Sequence, residues 1–194
     1  MDYKNILGFL TIAIAIISYS LYFRNIYLGK TKPHAFSWFI WSVLAGIVFV
    51  AQVVEKGGAG AWITGFTAIV CFIISVIASF KTSEQFGIFD WLSLTAAVAS
   101  IILWRFTKNP TLSVILISLT FAWGFLPTFR KAYYKPFEET ATTFALNGLK
   151  FGISIFALSA FTISTWLYPA TLAILNGVFT IFLLILRKQS SKLK

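Results

Sequence analysis

Acidic side chains are scarce in this sequence: 6 Asp and Glu among 194 residues, against 16 Lys and Arg. There is a single cysteine, Cys71, which excludes an internal disulfide and a thiolate metal cluster. The single histidine, His34, excludes a multi-histidine metal site. Charged residues of both signs amount to only 11%, well short of what a soluble domain needs to cover its core with polar surface. No His/Asp/Ser constellation, phosphate loop or metal set is present, so neither an enzyme nor a cofactor or metal site is expected.

What is there is apolar. Hydrophobic residues make up 58% of the chain and the mean hydropathy is +0.84. The apolar residues come in continuous runs of membrane-spanning length rather than in the alternation of a β-barrel. The reading is an all-α membrane protein with seven transmembrane helices, near Asn5–Phe23, Phe36–Val53, Ala61–Phe80, Trp91–Phe106, Leu112–Tyr133, Thr142–Phe161 and Trp166–Leu186. The first run has no basic n-region and no convincing cleavage site, so it is expected to stay as the first span. The net charge of +10 fits basic loops that fix orientation better than a nucleic-acid partner. Lys4, Lys56, Arg105 and Lys108 fall on the side of the N-terminus, and eleven of the other cations on the opposite side, with Lys150 left over. The positive-inside bias then places the N-terminus outside and the C-terminus in the cytoplasm, in a multi-pass protein of a cell membrane, with the bacterial inner membrane the expected one.

Two parts of the chain resemble each other. Phe23-Arg24, Tyr27 and Lys32-Pro33 recur in order as Phe129-Arg130, Tyr133 and Lys135-Pro136, with three residues fewer. Ser37 and Thr140 follow the two prolines at the same distance, and Trp62 and Trp166 open matching runs. The shared order marks an internal repeat. The run from Asp90 to Thr107 has no counterpart. The organisation expected is 3+1+3: residues 1–81 a first triple-helix bundle, 82–109 a linker helix, 110–194 a second triple-helix bundle with a basic tail. An odd number of helices per unit would invert the second copy, and the extra helix restores its orientation, so the repeats are parallel. Transporters built this way hold substrate at the repeat interface near the bilayer midplane.

Three helices, a linker helix and three more, with the N-terminus outside, resemble the SWEET and PQ-loop superfamily of membrane transporters. The family's proline–glutamine pair ends the first helix of each triplet; here Pro127-Thr128 and Leu21-Tyr22 stand there, the glutamine replaced in both. The stretches Gly29–Trp38 and Arg130–Thr140 look like the loops of bacterial relatives. The resemblance implies a small-solute transporter working by alternating access. It also points to Asn176, in the seventh run, as a pocket asparagine; the matching position in the third run falls at Cys71-Phe72, so an asymmetric pocket is expected.

Lys150 is the sharpest signal. It lies roughly 15 Å along the sixth run at 1.5 Å per residue, where a lysine costs about 2.5–3.5 kcal/mol. All six acids fall near run ends or in loops. The side chain is therefore expected to meet a watery cavity, to be deprotonated by burial or to pair with an anionic ligand, the bland alternative being a shifted helix and a snorkelling side chain. Thr143, Asn147, Lys150 and Ser154 share one stripe of the helix, lining a pathway or bonding neighbouring helices. With Asn176 and Trp41 they form the expected substrate site, while Trp38, Trp62, Trp91, Trp104 and Trp166 read as interfacial anchors. Pro127 and Gly124 are hinge candidates in the fifth run. Glu138 and Glu139, opposite Arg130, are candidates for a cytoplasmic latch.

The expected function is transport of a small solute, an anionic or polar organic molecule or a sugar, with proton coupling and simple facilitation both open. The alternative is a non-transporting seven-helix receptor or scaffold on the same fold. A retinal protein is disfavoured, because the lysine is on the sixth run and the third carries no acid. Expected partners are the substrate and the lipid bilayer, with a homo-oligomer left open.

Overall fold

A computed structural model of the chain describes residues 2–29, 33, 35–80, 87–134, 136–137 and 139–192; at 89, 90, 127, 131, 191 and 192 it describes the backbone alone. Among these residues there are seven α-helices and no strand. They are α1 (Tyr3–Tyr27), α2 (Ala35–Val54), α3 (Trp62–Ser79), α4 (Ile88–Thr107), α5 (Pro110–Tyr134), α6 (Ala141–Phe156) and α7 (Ile163–Lys192). A 3₁₀ turn, Gly58–Ala61, leads into α3.

Local chemistry sets the helix ends. The Asp2 carboxylate caps α1 by accepting from Lys4 N. Gly29, at φ +69°, stops the same helix in the left-handed conformation that costs glycine least. The Asn109 side chain accepts from Thr111 N at 2.8 Å, and Pro110 occupies the first turn of α5, where its missing N–H is not needed. Thr162 N donates to Thr165 Oγ1 at 2.9 Å, which caps α7.

The helices carry apolar residues outward. Phe9, Ile17, Ile69, Trp123, Ile174 and Ile181 are mid-helix and exposed, whereas Thr11, Ser18, Gln52, Thr64, Lys150 and Asn176 are buried. That distribution is the reverse of a water-soluble fold and suits hydrocarbon as the outer solvent. Five helices are long and apolar enough to cross a membrane: α1, α2, α3 with its leading turn, α5 and α7. Helix α6, at 16 residues, is roughly 24 Å long at 1.5 Å per residue.

Helix α3 packs along α2 and also touches α1; α7 packs along α6 and also touches α5. Between these groups, α1 lies against α6 and α2 against α5. Helix α4 packs on α5 and α2. The core runs through this junction, with Ala15, Leu44, Ile74, Ile117, Phe151 and Tyr168 all buried in one cluster. A second cluster of rings, Phe125 and Phe179 with Phe129 and Phe144 against them, fills the far end of α5, α6 and α7.

One boundary departs from the sequence reading. The sixth run was expected to reach Phe161 and the seventh to begin at Trp166. Instead α6 stops at Phe156 and Ile163 already belongs to α7. The backbone between them is diverted to the connector that precedes α3. Gly60 N donates to Ala157 O and Ser159 N to Gly57 O, both at 3.0 Å. Gly60 permits that approach: a Cβ there would sit 2.6 Å from Ser154 O. A hydropathy run cannot register the break, because Ala157 and Leu158 are as apolar in the connector as in the helix.

Candidate functional site

Lys150 is the tenth residue of α6, and none of its surface is exposed. Its side chain points into the junction with α1 and α3. Nζ stands 4.2 Å from the centroid of the Tyr19 ring and 5.3 Å from that of Phe151. It has no hydrogen-bond partner among the described residues. The ring face of Tyr19 is the ammonium's main electrostatic support, a contact worth about 2 kcal/mol when desolvated.

Tyr19 comes from α1, and its hydroxyl lies beside Thr67 and Cys71 of α3. Cys71 is also close to Lys150 and is a free thiol. Tyr168 of α7 is buried next to this group, edge-on to Phe151 at 6.3 Å. The site therefore draws on both halves of the chain: Tyr19, Thr67 and Cys71 from the first, Lys150 and Tyr168 from the second. Lys150 Nζ and, one turn earlier on α6, Asn147 Oδ1 are buried side-chain atoms with no hydrogen-bond partner among the described residues. Buried polar atoms are normally paired, so an unpaired lysine Nζ between helices is unusual.

The expected stripe on α6 is graded. Thr143 and Asn147 are half-buried, Lys150 and Ser154 fully buried. Ser154 Oγ donates to Phe151 O at 2.7 Å and so serves its own helix. Asn176 is buried, and its Nδ2 donates to Leu172 O at 2.8 Å, one turn back in α7. Its Cβ packs near Gly148, where a Cβ added to the glycine would lie 3.3 Å from Ala173 O and Gly177 N. This small-residue contact brings α6 and α7 close at Asn176; Gly148 and Lys150, two residues apart, face about 200° apart around α6, so Asn176 and the lysine are not brought together by it.

Trp41 is exposed at 36% and stands within a chain of rings: Trp38 at 5.1 Å on one side, and on the other Phe121 at 6.2 Å, then Tyr168 at 5.8 Å from Phe121, then Phe151. Gly124 has nothing within 4 Å of an added Cβ. The backbone of α5 continues as helix through position 127, and the ring of Pro127 lies outside the described residues, as does Glu138. Arg130 is exposed. Arg187 of α7 reaches the loop after α5, donating Nε to Pro136 O at 2.9 Å and Nη2 to Glu139 O.

The face bearing the N-terminus is tied across the two halves. Besides the two connector bonds, Gln52 Nε2 of α2 donates to Thr165 O of α7 at 2.7 Å. Pro169, four residues on in α7, has no N–H to offer that carbonyl. The proline thus frees an acceptor and the buried glutamine takes it. Sequence reasoning passed over Tyr19, Thr67, Tyr168 and Gln52, and met Cys71 only as the third-run counterpart of Asn176. The available signal was polarity inside apolar runs, the same signal that singled out Lys150.

A groove of 710 Å³ lies elsewhere, between α2 and α4. No protein-family model, curated protein or solved structure matches the chain.

Proposed function

We propose that the chain is a multi-pass transporter of a small polar or anionic solute, in which two parallel triplets, α1–α3 and α5–α7, alternate around Lys150. In this reading all seven helices cross the membrane, the N-terminus faces outside, and α4 joins the triplets. The single observation that carries it is Lys150 Nζ, wholly buried between elements of both halves and without a hydrogen-bond partner among the described residues. A buried cation without a carboxylate is costly to keep and is suited to a ligand that brings the missing charge or acceptor.

The packing supports the reading. In each triplet the third helix packs on the first and second, and the first helix of each triplet lies against the second of the other. Exchanging the triplets maps α1 against α6 onto α5 against α2, which is the pattern a two-fold axis along the membrane normal produces. The backbone ties at Gly57 and Gly60 and the Gln52 side-chain bond to Thr165 O close the face bearing the N-terminus, which corresponds to one half of an alternating cycle.

In mechanism, substrate enters from the face bearing the C-terminus and binds at Lys150. Tyr19, Thr67 and Asn147 supply hydrogen bonds, and closure around the bound solute releases the ties on the opposite face. The test is uptake by the purified protein in liposomes, against a panel of radiolabelled carboxylates and sugars. Uptake of at least one solute, abolished by Lys150→Ala and reduced at least tenfold by Lys150→Gln, is expected. Binding of a solute without its passage would instead identify a receptor on the same fold.

A further inference from the structure

The groove between α2 and α4 lies apart from the Lys150 site and has a different character. Its walls are Gly46 and Ile47 of α2 with Ile101 and Trp104 of α4, and its cations are Arg105 and, just past α4, Lys108. No acidic side chain lines it among the described residues. Its 710 Å³ falls within the range of sites that take a discrete small ligand. Gly46 creates part of the space, since nothing lies within 4 Å of a Cβ added there. Arg105 and Lys108 are exposed at the end of α4, whereas the deepest wall residue, Val43, lies about 16 Å along the axis from the end of α2 at Val54. That is the depth of about one leaflet. Trp104 sits where a ring amphipathic in character meets the headgroup level.

A water-soluble anion would leave the apolar length of this groove wet, and a neutral lipid would leave two cations without a counter-charge. We infer that the groove holds one anionic phospholipid, its phosphate between Arg105 and Lys108 and an acyl chain lying over Gly46. The bound chain fills the gap where α4 stands off α2, so the lipid fastens the linker helix to the first triplet. Each cation near a headgroup favours an anionic lipid by about fivefold, the two together by about twenty-five-fold.

The test uses the full chain in phosphatidylcholine vesicles that contain a small fraction of brominated phosphatidylglycerol or brominated phosphatidylcholine. The readout is the part of the tryptophan quenching that disappears in Trp104→Phe. Brominated phosphatidylglycerol is expected to quench this component at a mole fraction more than tenfold lower than the neutral lipid. The double variant Arg105→Gln/Lys108→Gln brings the two lipids together, and Gly46→Leu, which fills the groove, weakens quenching by both. All three positions are only partly covered or exposed, and circular dichroism verifies that the variants keep their helices. Equal quenching by the two lipids in the unsubstituted protein overturns the inference, as does a preference that survives loss of both cations. Displacement of the brominated lipid by excess soluble glycerol phosphate would assign the cations to a free anion and overturn it too.

Discussion

Replacing Lys150 by methionine separates what the residue costs from what it does. A lysine at this depth costs about 2.5–3.5 kcal/mol on insertion scales. The structure offers one compensation of comparable size, the Tyr19 ring face 4.2 Å away, worth about 2 kcal/mol in a desolvated setting. Methionine has a similar reach, is flexible enough to pack in the same space, and removes both terms. Lys150→Met should therefore stabilise the protein by about 1 kcal/mol, a rise of about 2–4 °C in Tm for a chain of this size, while abolishing uptake. The assay is thermal unfolding of the detergent-solubilised protein, followed by size-exclusion chromatography, with Tyr19→Leu measured in both backgrounds. Tyr19→Leu should cost about 1–2 kcal/mol more when Lys150 is present than when it is methionine. A fall of several degrees in Lys150→Met, or no coupling to Tyr19, would refute the reasoning: the lysine would then be held by a partner and serve the fold.

Three further expectations follow from the same geometry. Gly60→Ala should destabilise by about 1–3 kcal/mol, because the added carbon meets Ser154 O at 2.6 Å; Gly46→Ala, in open space on α2, should stabilise by about 0.5–1 kcal/mol, and thermal unfolding reads both. Gln52→Ala leaves Thr165 O without its donor, a loss of about 1–3 kcal/mol, and should loosen the tied face; labelling of the single buried Cys71 by a membrane-impermeant maleimide should then accelerate several-fold from the N-terminal side, and an unchanged rate would mean that the bond is not part of a gate. Arg187→Gln removes the donors to Pro136 O and Glu139 O, and amide exchange around residues 136–140 should speed up about fivefold, as for a partly exposed charged hydrogen bond worth about 1 kcal/mol.

The sequence by itself determined a good deal. Runs of apolar residues fixed the number and approximate ends of the helices, because helix formation in hydrocarbon is obligatory once a segment enters it. They also marked Lys150 as buried, since a charge in the middle of such a run has nowhere polar to go along its own helix. The boundary between α6 and α7 was not legible: the helix ends where its backbone finds partners in the connector before α3, and hydropathy carries no record of a partner 97 residues away.

Only the tertiary structure decided what surrounds the lysine. In α1 apolar side chains lie on all sides of the helix, so hydropathy leaves its rotation about its axis weakly determined, and rotation is what turns Tyr19 toward α6 and Ile17 toward the outside. The same holds for Gln52, which is one polar residue among many apolar ones until Pro169 leaves a carbonyl free opposite it. Hydropathy is a property of each segment taken singly. Which faces meet is set by packing between segments, where small residues such as Gly60 and Gly148 allow close approach and a buried polar atom such as Gln52 Nε2 finds its partner across a helix boundary.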